Sequence, residues 1–278
     1  MPELPEVAAH AERLSTEFGG AVLERFRPLT FTALKTVEPS PDVAIGGAVD
    51  AVTNRGKYLL LGVGPATFVI HLMQGGRLRP DEKQSASPRG GLARWWFDDG
   101  RALLLTEAGS EKRAGVWVVT GEPDRQPPLD GLGPEADSVS VDQLAHLLTD
   151  QSKRLHGVLR SQTILAGLGR RLANEVCHRA RLSPFANASK LGPDEIESLH
   201  AGISACLADS LTAERARDDM SASKDRTASV HHRAGEACPI CGDEVRTVSY
   251  VKYTVFYCAT CQTGGKVLAD NTTSKFLK

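Results

Sequence analysis

No apolar run in the 278 residues is long enough to form a membrane-spanning helix, and no secretory leader is evident. The first absence excludes a helical membrane span, and together they set the expectation of a cytoplasmic protein whose thiols stay reduced. Net charge is also lacking, with 33 Lys and Arg against 34 Asp and Glu. That excludes a uniformly basic nucleic-acid binder, but the average hides a division. Residues 1–150 hold 15 Lys and Arg against 21 Asp and Glu, a balance of −6; residues 151–278 hold 18 against 13, a balance of +5. A grip on a phosphate backbone would therefore concentrate in the second half. Cysteine is sparse, at six residues. Cys177 and Cys206 fall in apolar helical patterns and read as core residues.

The other four cysteines are organised. Cys238-Pro239-Ile240-Cys241 and Cys258-Ala259-Thr260-Cys261 are two C-x-x-C knuckles sixteen residues apart, the pattern of a tetrahedral four-thiolate zinc site. In a reducing compartment this reading outweighs two disulfides. Between the knuckles, Val245, Val248, Val251 and Val255 stand among polar residues, as in a β-hairpin that carries the ligands. At the other end, Met1-Pro2-Glu3-Leu4-Pro5-Glu6-Val7 places a small residue after the initiator. Removal of Met1 would free the secondary amine of Pro2, with a terminal pKa of roughly 8. Such an amine attacks carbonyl carbon and yields a permanently charged iminium, an electron sink. Glu3 stands beside it as a proton donor or acceptor.

Pro5 predicts the first turn of a helix that runs to Phe18 and stops at Gly19-Gly20. Strand-like runs follow at 22–26, 48–52, 58–63, 67–72, 93–97, 102–105 and 116–119, separated by turns such as Asp98-Asp99-Gly100. One helix and many short strands predict a β-sandwich over residues 1–120, flanked by a Pro-, Asp- and Gly-rich linker at 121–133. Helical periodicity then appears at 141–148, 155–162, 172–180 and 193–212. Gly167-Leu168-Gly169, just before a helix, would let backbone N–H groups approach an anion. Residues 214–229 are nearly devoid of large apolar groups and read as a loop over the site or a linker to the finger. The expected organisation is α+β and multidomain: the sandwich, a helical domain at 134–229 and a zinc finger at 230–278.

Several motifs, in order, resemble the formamidopyrimidine-DNA glycosylase and endonuclease VIII family. They are the opening Pro2 to Val7, Arg55-Gly56-Lys57-Tyr58, His71-Leu72-Met73-Gln74-Gly75-Gly76, Leu132-Gly133-Pro134-Glu135, Leu159-Arg160-Ser161-Gln162 with Ala173-Asn174-Glu175, and the finger ending in Cys261-Gln262. The resemblance implies a helix-two-turns-helix domain and a bifunctional glycosylase and abasic-site lyase of base-excision repair, monomeric and bacterial, working at the nucleoid on damaged or abasic DNA. It implies catalysis by Pro2, Glu3 and Lys57 with support from Glu6. It also implies one structural Zn²⁺ on Cys238, Cys241, Cys258 and Cys261, and DNA contacts by Gln74, Lys112, Arg113, Gly167, Gly169, Arg170, Lys252 and Tyr253.

Several of these positions depart from the family pattern. Gln74 stands where a void-filling Met is usual, Lys112 where an Arg pairs with the orphaned base, and Ala114 where an aromatic wedge sits. Arg170 replaces an Asn, His156 a Lys and Tyr253 an Arg. The catalytic end is whole while the DNA-reading end is rebuilt, so altered lesion preference is expected. A lyase or damage-binding paralogue with little base excision is the alternative.

Overall fold

The computed structural model describes residues 1–109 and 111–268. Ser110, quoted in the second DNA-reading loop, and residues 269–278 of the expected finger lie outside them. Among the described residues no helix is long and apolar enough to cross a membrane. The chain divides into two compact units, Met1–Gly131 with Glu214–Ser223, and Leu132–Ala213 with Lys224–Lys278.

The first unit opens with α1 (Leu4–Phe18). Its strands are β1 (Leu23–Pro28), β2 (Val49–Arg55), β3 (Tyr58–Val63), β4 (Ala66–His71), β5 (Gly76–Pro80), β6 (Gly91–Phe97), β7 (Ala102–Glu107) and β8 (Gly115–Thr120). They form two four-stranded sheets, ordered β1-β6-β7-β5 and β2-β3-β4-β8, with every pairing antiparallel. The sandwich expected from the sequence is present, and all seven anticipated strands are found.

The strand the sequence hides is β5. Only Leu78 of its five residues is a large buried apolar, so no alternation marks it; its pairing with β7 makes it a strand. The core is aromatic across the sheets. Phe26 of β1, Phe68 of β4 and Trp95 of β6 lie with ring centroids 4.9–5.6 Å apart, in the tilted and edge-on arrangements that ring quadrupoles favour. Phe97 meets Phe18 of α1 at 5.2 Å, which seats the helix on the sandwich.

Glu107, at the end of β7, is buried and accepts the N–H groups of Arg113 and Ala114 at 2.6 and 2.8 Å. The loop that leads into β8 therefore hangs from one carboxylate. Glu107→Ala leaves two donors without their acceptor, at about 1–3 kcal/mol for a buried orphan group. We expect a lowered urea midpoint with an unchanged m-value; an unaltered midpoint would show that water serves those N–H groups equally well.

The second unit contains α2 (Val141–Thr149), α3 (Leu155–Leu159), α4 (Arg170–Arg179), α5 (Pro193–Arg215), the hairpin β9 (Val245–Tyr250) and β10 (Tyr253–Cys258), and α6 (Ala259–Thr263). The hairpin has the expected pattern in part. Val245, Val248 and Val255 are buried, while Val251 sits exposed at the tip. The end of α5 and the low-apolar stretch that follows it, Glu214–Ser223, belong to the first unit. Arg215 makes a two-pronged contact with Glu12 at 2.6 and 2.8 Å, Arg13 reaches the Glu214 and Arg217 carbonyls, and Met220 is buried in the core of the first unit.

Candidate active site, anion grip and metal centre

In the first unit, α1 organises the amino terminus. Glu6 turns back so that its Oε2 accepts the Glu3 N–H at 2.6 Å, satisfying a donor that a helix start leaves orphaned. Pro2, Glu3 and Glu6 are all buried. Lys57 does not lie within a strand. Arg55 pairs with Tyr58, so Gly56 and Lys57 form a two-residue hairpin turn, and Gly56 takes φ +55°, a conformation suited to glycine. Lys57 is nevertheless only 8% exposed, unlike a solvated turn lysine.

His71, at the end of β4, links these groups. Its Nδ1 accepts the Met73 N–H at 3.1 Å and its ring meets Tyr58 edge-on at 4.6 Å. Burial, followed by the positive charges of Lys57 and the amino terminus, pushes its pKa down to about 4. The imidazole is therefore neutral near pH 7. The sequence marked His71 only as the start of a loop motif; no local signal announced that it feels the charges of Lys57 and the Met1 terminus.

The DNA-reading loops of the first unit fall differently. Gln74 is exposed on a turn, beside the half-buried Met73. Lys112 is half-buried, and Arg113 is exposed and paired with Glu111 at 2.6 Å. Ala114 is 1% exposed and belongs to the hydrophobic core. It is no shortened wedge on the surface; the position has been drawn inward by the Glu107 anchor.

The second unit builds a cationic cluster around α4. Gly169 caps the helix without a capping side chain, and Gly167, at φ +101°, gives its N–H to Gln162 Oε1 at 3.0 Å. Gly167 thus shapes the turn, and its donor is already engaged. Tyr253 stacks on Tyr250 with centroids 4.7 Å apart and 16° between planes, and the Arg160 guanidinium lies 3.8 Å from its ring centroid. The Tyr253 ring thus already carries both partners, a guanidinium being favoured over the electron-rich π face.

Exposed Arg170 and Lys252 add charge. Desolvation, and then the nearby Arg170, lower the Arg160 pKa, against the Tyr253 interaction. His156 and His231 are both held near 3, chiefly by burial and then by neighbouring positive groups. The motif residue Arg160 proves more central than its sequence context suggested, because its stacking partner lies over ninety residues away.

Three buried imidazoles, His10, His71 and His156, and the half-buried His231 have depressed pKa values that make stability pH-dependent. His10 and His71 titrate near 4 when folded, against 6.5 unfolded, and His156 and His231 lower still. The unfolded chain takes up these protons first, so stability is full above about pH 6.5 and is lost as pH falls toward 4. Each fully buried imidazole contributes a slope of about 1.4 kcal/mol per pH unit. Urea midpoints should fall steeply from pH 6.5 to 4.5; a flat profile would contradict neutral buried histidines.

The four knuckle cysteines bring one sulfur each within 4.8 Å of one another. Cys238 and Cys261 sulfurs are 3.9 Å apart, and Cys241 and Cys258 3.4 Å. These bracket the edge of about 3.8 Å that a tetrahedron with Zn–S bonds of about 2.3 Å requires. The group is a four-thiolate cluster able to hold a metal ion.

Comparison with known proteins gives the same pattern for both units. The formamidopyrimidine-DNA glycosylase N-terminal domain model matches residues 1–110, and the formamidopyrimidine-DNA glycosylase H2TH domain model matches residues 131–221. The formamidopyrimidine-DNA glycosylase of Symbiobacterium thermophilum is 32% identical, covering 94% of this chain and 89% of its own length. That of Roseiflexus is 31% identical over 94% of this chain and all of its own. Among solved structures, the Lactococcus lactis Fpg bound to abasic-site DNA superposes with a TM-score of 0.80 at 20% identity, over 94% of this chain and 99% of that one; this likeness is one of fold.

Proposed function

The chain belongs to the formamidopyrimidine-DNA glycosylase family of DNA-repair glycosylases, and from that premise we propose that it is a bifunctional glycosylase and abasic-site lyase whose nucleophile is the amine of Pro2. The observation that carries this reading is the buried Pro2–Glu3 start, held by Glu6 through the Glu3 N–H, together with a buried Lys57 whose charge, like that of the Met1 amine, acts on neutral His71. After Met1 is removed, the Pro2 nitrogen attacks C1′ of a flipped nucleotide, breaking the glycosidic bond, or condenses with the C1′ aldehyde of an abasic sugar, releasing water. Glu3 serves the sugar-ring oxygen as proton donor during ring opening. The resulting iminium withdraws electrons, so that loss of a C2′ proton expels the 3′ phosphate and nicks the strand. Lys57 neutralises the phosphate beside the lesion.

DNA is the expected partner, held by Arg160, Arg170 and Lys252 of the second unit, with Gly169 allowing close approach of backbone to phosphate. The Tyr250–Tyr253 stack positions Arg160 and is not a free platform for a base. Arg160→Ala should weaken binding and reduce the slope of log K against log salt by about one unit. A lower affinity at an unchanged slope would assign Arg160 a folding role.

Zinc is the proposed occupant of the four-thiolate cluster, supplying a crosslink that holds the hairpin folded and no reaction step. Lesion preference is proposed to be altered. Gln74 offers a polar tip and Ala114 is withdrawn into the core, so flipping from a stacked duplex lacks bulk to fill the void. Single-turnover excision should be slower from matched 8-oxoguanine duplex than from bubble or single-stranded DNA. Fastest excision from intact duplex would transfer the filling role to the adjacent Met73. Nicking of an abasic duplex decides between this enzyme and a binding paralogue, since the paralogue retains DNA without cutting it.

A further inference from the structure

A buried polar stripe on α4 holds α5, the segment before the first knuckle, the hairpin and one knuckle cysteine. Arg171, Asn174, Glu175 and His178 recur on α4 at spacings that share one helical face, and all four are buried. Arg171 Nη1 donates to Ser210 Oγ at 3.3 Å. Asn174 bonds His231 and accepts the Phe256 N–H at 3.2 Å. The Glu175 carboxylate accepts three consecutive N–H groups, of Ser229, Val230 and His231, at 2.6–3.1 Å.

The fourth member goes to the metal centre. His178 Nε2 lies 3.2 Å from Cys238 Sγ, with His178 and Cys238 each 2% exposed. A metal-bound thiolate carries no proton and can only accept, so the shared hydrogen belongs to the imidazole. Backbone N–H groups of Ile240 and Cys241 also approach the Cys238 sulfur; His178 is the side-chain donor from outside the knuckle.

We infer that His178 is a positioning residue for the metal centre: its Nε2–H donates to the Cys238 thiolate and ties that ligand to α4, the helix that begins at Arg170. This rests on the zinc reading above. Withdrawing electron density from one thiolate makes it a poorer target for protons and electrophiles and slows release of the metal. Donors of this outer kind alter metal affinity by about 10–100-fold. His178 lies eight residues from Arg170, about 12 Å along the helix, so the same rigid element holds the metal ligand and presents a cation of the anion grip.

The test compares wild type with His178→Leu, His178→Gln and His178→Asn in the full chain. Zinc release to a chromophoric chelator and the sulfur-to-cobalt charge-transfer band of the Co²⁺-substituted protein are the readouts. The Gln amide nitrogen can reach the place of Nε2, whereas the shorter Asn cannot. His178→Leu and His178→Asn should release zinc about tenfold faster with the band moved to longer wavelength, and His178→Gln should resemble wild type. If His178→Leu fails to fold, the Gln and Asn pair decides alone. Equal release rates and band positions in wild type, Gln and Asn would overturn the inference. Failure of the zinc reading itself would look different: wild type would show neither bound zinc nor a tetrathiolate cobalt spectrum.

Discussion

A variant that carries one additional residue in front of Pro2 is expected to lose strand nicking at abasic sites while still binding the same DNA. The additional residue converts the Pro2 amine to an amide, whose nitrogen lone pair is delocalised into the carbonyl and cannot attack C1′. No other change is made near Glu3, Glu6 or Lys57, so binding by the second unit is untouched. Pro2→Gly is a graded version. Its primary amine still condenses, but the product is an imine that must gain a proton before it withdraws electrons. A fall in nicking of about 10²–10⁴-fold is expected, the scale associated with mispositioned proton transfer. Glu3→Gln removes a proton donor and keeps the shape, so base removal should fall more than DNA affinity does. The single-turnover rate on an abasic duplex measures each loss. Unchanged nicking with the blocked amine would move the nucleophile elsewhere, with buried Lys57 the nearest alternative.

Cys241→Ser is expected to have the second largest effect. It removes one corner of the four-thiolate cluster, and structural zinc in small fingers contributes on the order of 10–16 kcal/mol to folding. Little apolar packing compensates for that loss. Two small clusters join the knuckles and hairpin to the rest of the unit: Val230, Cys238, Val245, Phe256 and Cys258 with Cys261 against them, and Val248, Tyr257 and Ala259 with Phe185, Tyr250 and Leu268 against them. The hairpin should unfold, taking the Tyr250–Tyr253 support from under Arg160. The first unit has its own aromatic core and should keep its near-ultraviolet signal from Trp95. Calorimetry should therefore show an early transition appearing while the transition of the sandwich stays in place. A single unchanged transition, with DNA affinity intact, would mean that the cysteines hold the finger without metal.

Local patterns carried most of the architecture. Pro5 and Gly19 bracket α1, and period-two runs mark the strands whose inward residues meet at Phe26, Phe68 and Trp95. The knuckle spacing identifies a four-thiolate site because ligand geometry is written into short segments. What remained hidden depends on partners distant in the chain. β5 exists through β7. Ala114 reads as a shortened wedge until Glu107 is seen drawing its backbone inward. Tyr253 reads as a DNA contact in place of an Arg until Arg160 and Tyr250 are found on its ring. His71 reads only as the start of a loop motif, and nothing in the sequence singles out His178. Their significance lies in Lys57, the amino terminus and Cys238, none of which is a neighbour in sequence. Residues 214–223 look like a tether, yet Met220 is buried in the sandwich core. Apolar content alone could not reveal that, since one buried methionine, ion pairs and the hydrogen bonds of Arg13 make the connection.

Borohydride trapping followed by peptide mapping identifies the nucleophile. Reduction during turnover of an abasic-site duplex converts the iminium to a stable amine, fixing the DNA to the atom that attacked C1′. A crosslinked amino-terminal peptide that begins at Pro2 and carries the sugar on the proline nitrogen is expected. Attachment to Lys57, or no crosslink from protein that binds the duplex, would contradict it.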